Sequence, residues 1–356
     1  MPERTPLYAA QAAAGGKMVD FADWDMAVQF AGIQAEHTAV RTAAGIFDVS
    51  HMGRLRLVGP GAEAFLSRRV CRRIRDMRAG QVRYGLVLAD DGTVEDDVLV
   101  SREGDYQFHV VVNAGNRAKI LGLWRPALDS SVALQDLSAE QAMIAVQGPK
   151  APAILAGLGL DPSALAIYSF RDALWQGHAV RISRTGYTGE DGAELFCPVA
   201  AAAPLWAALL AAGAAPCGLG CRDTLRLEAA MPLYGHELDR TVTPVEAGLT
   251  FAIDKAGGFI GGERIVAQLK DGPAKRLVGL RMQSKRVPRQ GYAVLHAGKP
   301  VGTITSGTLS PTLGDAIGMA YVPAAQAAAG TVLTVDVRGQ AVEAVVVPLP
   351  FYKRKR

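Results

Sequence analysis

The sequence predicts an α+β protein whose last quarter is a small all-β domain. Two patterns and the composition predict it. Over the first 270 residues, period-two apolar segments alternate irregularly with helical ones and are joined by hairpin-like links, not by regular βαβ spacing. After Asp271-Gly272-Pro273 only short strands remain, separated by Gly, Pro and Ser turns. The composition, 49% hydrophobic and 20% charged over 356 residues, suits a large folded core and not a disordered chain. The boundary is placed so that 1–271 is one region with two interleaved α+β parts and 272–356 is a β-barrel or jelly-roll domain.

The elements follow in order. A short helix is expected over 9–15, a strand over 18–21, and a helix over 33–44 that Gly45 stops. Leu55 and Leu57 alternate in a strand over 54–58, and another strand covers 83–88. Asp90-Asp91-Gly92 is a hairpin turn signal. Strands over 97–101 and 106–112 come next, then a helix over 116–124. A strand over 142–147 ends at Gly148-Pro149 and leads to a helix over 151–157. Strands over 179–183 and 194–199 flank a glycine-rich turn. Pro204 and Gly213 confine a core helix to 205–212, packed through Leu205, Trp206, Leu209 and Leu210, and a further helix starts near Arg222. The tail carries strands over 277–282, 292–296, 301–305, 316–322, 332–337 and 341–347, and one weak helical pattern over 323–328.

Charge and cysteine usage narrow the function classes. The net charge is +4, and the one uninterrupted basic run is the terminal Lys353-Arg354-Lys355-Arg356, a solvated chain end. Nucleic-acid binding is therefore not expected. No apolar stretch reaches membrane-spanning length and the N-terminus has no apolar signal core, so a cytoplasmic protein is expected. Cys71, Cys197, Cys217 and Cys221 suit a reducing compartment. Cys217 and Cys221, four apart, share a helix face if both are helical, but two thiols without further ligands make no metal site; none is expected.

Three segments carry candidate chemistry. In 92–100, Glu95, Asp96 and Asp97 lead into an apolar strand. Neighbouring strand residues face opposite sides, so only one of Asp96 and Asp97 faces a given pocket and the other is expected in solvent. A charged turn before a strand is the plain alternative. In 184–194, Gly186, Gly189 and Gly192 imply a tight turn that holds Tyr187 and precedes Glu194. A carboxylate there can accept paired hydrogen bonds, as carboxylates do from guanidinium; an ordinary hairpin has the same look. In 218–228, Arg222 lies near a helix start, where the macrodipole disfavours a cation, so an anionic partner is expected, either Glu194 or a ligand. A surface arginine is the bland reading. Arg226, four residues on, shares its helix face. Ser50-His51 lacks a nucleophile elbow and reads as structural. The glycines of 257–262 fit neither phosphate-loop nor dinucleotide spacing.

Taken together, these segments resemble the aminomethyltransferase (T-protein) family of the glycine cleavage system. The resemblance runs from 18–26 and 45–52 through 184–192 and 220–229 to 287–289, 305–313 and Pro350-Phe351-Tyr352. It implies a cloverleaf of three domains around a central tetrahydrofolate channel, with no metal. It implies transfer of the one-carbon unit from aminomethyl-dihydrolipoyl H-protein to tetrahydrofolate, giving methylene-tetrahydrofolate and ammonia. By the same resemblance Asp97 is the essential acid near the reactive folate nitrogens, where a fixed carboxylate meets developing positive charge. Glu194 grips the pterin edge, Arg222 and Tyr187 sit near the ligand, and Tyr84, Met52, Val111, Asn113 and Tyr168 line the channel. Phe351 is the C-terminal aromatic brought back to the site. Departures are Asp23, where the family commonly has Gly, Cys221 in place of Ala, and Glu95 in place of an apolar residue. Two alternatives share the folate channel: a folate-dependent demethylase, and a non-enzymatic folate-binding factor for iron–sulfur assembly. The second is disfavoured because 258–263 lacks that factor's cysteine.

Overall fold

The computed structural model describes residues 2–354, so Lys355 and Arg356 of the basic tail lie outside it. The chain divides into two compact units, residues 1–85 with 97–222 and residues 86–96 with 223–356.

The first unit is built on mostly antiparallel sheets. One has six strands in the order Phe170–Trp175, His178–Ser183, Gly192–Pro198, Gln141–Gln147, Gly45–Asp48, Ala215–Pro216. Gln141–Gln147 is central and buried on both faces, so its run of apolar residues needs no alternation. Ile144 and Val146 join Ile182, Leu195, Leu205, Trp206 and Leu209 in the main core. Each such side chain contributes roughly 1.5–3 kcal/mol by leaving water. The helix on this core is Val199–Ala211, six residues longer at its start than Pro204 implies. Pro204 lies on the exposed side of this helix, where water can satisfy the carbonyl that its missing N–H leaves without a partner.

A second sheet has the order Val82–Leu88, Val94–Gly104, Gln107–Val112, Gly53–Val58, Ala133–Asp136; its 86–96 tip is counted with the second unit. A third, of three strands, holds Trp24–Gln29 between Glu3–Arg4 and Lys17–Phe21. The sequence reading passes over the strands Trp24–Gln29, Ala133–Asp136 and Phe170–Trp175 and the helices Ala62–Arg69 and Gly262–Asp271, although the last is clearly amphipathic.

In the second unit six strands close a barrel in the order Lys275–Met282, Ala316–Pro323, Lys299–Leu309, Ala293–His296, Val332–Val337, Gln340–Val347. Leu280, Val294, Ile304, Leu333, Val335 and Ala344 fill it. The helical pattern at 323–328 is only a 3-10 turn, Ala324–Gln326, because Pro323 caps it and it has no buried face. Among the described residues no helix is long and apolar enough to cross a membrane.

Candidate functional site

Strand register assembles the first half of the site. Leu99 pairs with Val111, and two residues further along Asp97 faces Asn113. Gly53 pairs with Val112, which sets Met52 beside Asn113 on the other side. Asp97, Asn113 and Met52 thus form a row across three strands, with Val111 two residues behind Asn113 on the same face. Asn113 Nδ2 donates to Asp97 Oδ1 at 2.6 Å, and Tyr84 Oη donates to Asp97 Oδ2 at 3.0 Å. Asp97 retains some exposure although protein surrounds it. Burial pushes its pKa above the ordinary 3.8, against the lowering effect of the two hydrogen bonds. Burial, and then the Asp97 charge, raises the Tyr84 phenol well above its usual range, so it stays a donor.

Asp96 points the other way, as strand alternation requires, but it is not in solvent. Asp96 and Glu95 are both buried, and Glu95 pairs with Arg240 within the second unit. This corrects the expectation that one acid of the pair is solvated: the ion pair compensates the buried Glu95 charge.

The glycine-rich turn supplies the other half. Glu194, on Gly192–Pro198, is buried and accepts a hydrogen bond from Thr185 Oγ1 at Oε2. Arg222 stacks on Tyr187, its Cζ 4.8 Å from the ring centroid. No ion pair joins Arg222 to Glu194; the two interact only at a distance, each opposing the shift that burial imposes on the other. The anionic partner expected for Arg222 is thus not Glu194 in direct contact, and Arg222 Nη1 is buried with no hydrogen-bond partner. Such an orphaned donor fits a polar ligand. Arg226, expected to share this face, belongs to the second unit and is committed to Glu237 at 2.7 Å and to Asp223.

The two halves meet. Tyr84, which holds Asp97, lies within electrostatic reach of Tyr187 and Tyr168, and Tyr168 within reach of Glu194. Tyr168 is 42% exposed and has φ +60°. Nine of the ten residues singled out from the sequence therefore belong to the first unit. Phe351 belongs to the second, where its ring lies against Gly279 and packs with Leu227, Ile317 and Met319.

The turn that carries Tyr187 is latched from behind. Arg41 Nη1 bonds to Glu190 at 2.9 Å and to the Thr188 carbonyl at 2.7 Å, and Thr188 donates to Gln147 at 2.9 Å. A Cβ on Gly186 would lie 2.0 Å from Gln147 Oε1, so a larger residue there would displace the Gln147 side chain that holds Thr188.

Two residues near the site were not counted among its candidates. Arg54 alternates with Leu55 and so reads as solvent-facing, yet it is fully buried. Its guanidinium donates to the carbonyls of Ser50, Met52, Ser138 and Gln141, which fixes the turn that carries Met52. Burial lowers its pKa to about 10. His51, read as structural, has a buried Nδ1 without a hydrogen-bond partner. Burial, then the charges of Arg222 and Arg54, lowers it to about 3, so it is a neutral imidazole near Arg222. Ser50 does not bond to it but to the Met143 backbone. No motif marks Arg54.

All four cysteines are free and buried. Cys217 precedes the helix Leu219–Glu228 and so shares no helix face with Cys221. Glu36, Cys217 and Cys221 bring ligand atoms within 4.8 Å of one another. The Glu36 carboxylate, however, already accepts the N–H groups of Phe30 at 2.6 Å, Gly32 at 3.0 Å and Gly218 at 2.8 Å. Cys217 Sγ lies 3.4 Å from the Ala215 carbonyl. The cluster thus satisfies buried backbone groups.

The chain is similar to known proteins along its whole length. The family model "GCVT N-terminal domain" matches residues 7–257, and "Glycine cleavage T-protein C-terminal barrel domain" matches 275–353. An aminomethyltransferase of Geobacillus kaustophilus (strain HTA426) is 46% identical over 364 residues, covering 100% of both chains. One of Rubrobacter xylanophilus is 48% identical, covering 99% of this chain and 95% of the other. That of Bacillus subtilis (strain 168) is 44% identical, covering 99% and 100%. The crystal structure of glycine cleavage system aminomethyltransferase T from Bartonella henselae superposes with a TM-score of 0.94 at 32% identity, covering 99% of each chain.

Proposed function

Because the chain belongs to the aminomethyltransferase (T-protein) family of the glycine cleavage system, we propose that its aminomethyl donor is the lipoyl arm of H-protein and its acceptor tetrahydrofolate. Methylene-tetrahydrofolate, ammonia and the dihydrolipoyl carrier are then the products, and the reaction is cytoplasmic. Tetrahydrofolate supplies the nucleophilic nitrogen. The observation that carries this reading is the Asp97 carboxylate, held by two donors and raised in pKa, in one cluster with Glu194 and the orphaned Arg222 Nη1.

The residues fit such a ligand. Glu194 Oε1 has no hydrogen-bond partner among the described residues, so it can accept from the amino edge of a pterin while Thr185 holds Oε2. Arg222 Nη1 can donate to a ligand oxygen. Asp97 stabilises positive charge as it develops at the transferred carbon, and Tyr84 and Asn113 keep its carboxylate aimed without reorganisation during reaction. Met52, Val111 and Tyr168 supply the less polar wall, and a dry wall strengthens the effect of Asp97.

The deciding assay measures methylene-folate formation from lipoylated, aminomethylated H-protein and tetrahydrofolate. Turnover with H-protein is expected. Methyl-folate formation from a small methylated amine, with no turnover of H-protein, would replace this reading by that of a demethylase.

A further inference from the structure

The turn between Gly45–Asp48 and Gly53–Val58 is held rigid, and one side chain in it is left idle. Asp48 Oδ1 accepts the Ser50 N–H at 2.9 Å, and the Met52 N–H donates to the Val49 carbonyl at 3.2 Å. Ser50 Oγ donates to the Met143 carbonyl at 3.2 Å and accepts the Met143 N–H at 3.0 Å. Arg54 donates to the Ser50 carbonyl at 2.8 Å and to that of Met52. Asp48 is fastened in turn to the N-terminal segment by Thr5 at 2.5 Å and Gln11 at 2.6 Å. Asp48, Ser50 and Arg54 are thus spent on holding the turn.

His51 is not. It is 5% exposed, and the Phe21 ring meets it edge-on with centroids 6.0 Å apart. Its Nδ1 is sealed off without a hydrogen-bond partner. A sealed nitrogen costs less as a bare lone pair than as an unpaired N–H, so the proton sits on Nε2, and among the described residues no acceptor meets it there. A buried polar ring with no bonds stabilises the fold less than an apolar ring of its size, so its presence in a rigid turn points to a ligand.

The ring stands at the site. Met52, next in the chain, belongs to the row of Asp97 and Asn113, and the Arg222 charge reaches His51. Arg222 Nη1 is itself without a partner, so two uncommitted donors lie near each other. An imidazole kept uncharged beside cations acts as a donor that polarises a carbonyl, not as a base. A pterin ring has one carbonyl oxygen, directly beside the ring N–H and amino group that suit a carboxylate. With Glu194 on those two donors, the oxygen falls next to them, and its two lone pairs take two donors.

We propose that His51 is a further binding residue of the site, whose Nε2–H donates to the ring carbonyl oxygen of the pterin beside Arg222 and so selects an oxo ring over an amino-substituted one. The proposal rests on the function stated above. Phe21 and the hydrogen bonds of the turn then serve to aim the imidazole.

The test measures Kd by titration calorimetry for tetrahydrofolate and for its analogue with an amino group in place of the ring oxygen. The proteins are the unaltered enzyme, His51→Phe and His51→Gln. Phe keeps a ring against Phe21 and removes the donor; Gln returns an amide N–H near the place of Nε2. His51→Phe should raise the tetrahydrofolate Kd about tenfold or more, the scale of one buried hydrogen bond, and leave that of the amino analogue within about twofold. His51→Gln should recover tetrahydrofolate affinity to within about threefold. In the unaltered protein, isotopically labelled at histidine, the His51 Nε2 proton should shift downfield on binding tetrahydrofolate, with Nδ1 unprotonated throughout. An unchanged tetrahydrofolate Kd in folded His51→Phe overturns the contact and leaves the function standing. An equal rise for both ligands also overturns it, since it shows lost shape and not a lost donor. Should His51→Phe not fold, the labelled protein decides: a ring whose nitrogens do not respond to tetrahydrofolate is structural. Absence of tetrahydrofolate binding by the unaltered enzyme overturns both readings.

Discussion

Asn113 and Asp97 are cross-strand neighbours, and the 2.6 Å hydrogen bond from Asn113 Nδ2 to Asp97 Oδ1 follows from that register alone. The carboxylate is fixed by sheet geometry, not by a mobile loop, and the site builds outward from this pair.

Asp97→Asn should separate function from stability. The variant keeps folate affinity within about tenfold but loses roughly a hundredfold or more in turnover, as expected when an interaction made mainly in the transition state is removed. Its stability should go the other way. Burial raises the Asp97 pKa in the folded state, so Asp97 contributes stability below its unfolded value and loses that contribution as pH rises through the folded value. At pH 7 the ionised form costs stability that a neutral amide does not. Calorimetry at pH 7 should show a higher Tm in the variant, with the difference shrinking towards pH 4. Near-normal turnover in the purified variant would remove Asp97 from the chemistry.

Tyr84→Phe tests how the acid is tuned. The Tyr84 hydroxyl donates to Asp97 at 3.0 Å and favours its ionised form. Without it the Asp97 pKa rises further, so the acid limb of the kcat/KM profile should move to higher pH. The plateau should fall about tenfold, the scale of one lost hydrogen bond to a charged group. A limb that stays in place would mean that another group governs it.

How far the sequence discloses this site depends on the kind of signal. Asp97, Glu194 and Tyr187 stand out because acids next to apolar strands and glycines in tight turns violate local pattern. The barrel is legible because turn residues recur at short intervals. Arg54 is not, since a buried arginine and a solvated one have the same place in an alternating strand. Only the four carbonyls it meets distinguish them, and two come from residues more than eighty positions away. The same holds for Glu95, whose buried charge is met by the distant Arg240. Pro204 misleads for the opposite reason: a local rule that ends helices is overridden where the proline faces water.

Glu194→Ala should weaken tetrahydrofolate binding. Two ligand donors lose their acceptor, and each unsatisfied group costs about 1–3 kcal/mol, which predicts a rise in Kd of roughly ten- to a hundredfold or more. Unchanged affinity by titration calorimetry would rule out Glu194 as a ligand contact.

Arg41→Ala probes the latch behind the turn. Arg41 and Glu190 form an ion pair whose side chains are 7% and 5% exposed, and the same guanidinium nitrogen holds the Thr188 carbonyl. Removing the arginine leaves a buried carboxylate without its cation, a loss of about 3–5 kcal/mol in comparable cases. Arg41→Ala together with Glu190→Gln removes both charges and should recover much of that loss, so the pair separates a stranded charge from lost packing. Tyr187 rides on the latched turn, and Arg222 stacks on Tyr187. The single variant should therefore raise the folate Kd even under conditions where it stays folded, and the double variant should lower it again only in part, because the Thr188 carbonyl still lacks its donor. If the single variant melts lower yet binds folate normally, the turn holds its shape without Arg41, and the Thr188 bond to Gln147 is its sufficient anchor.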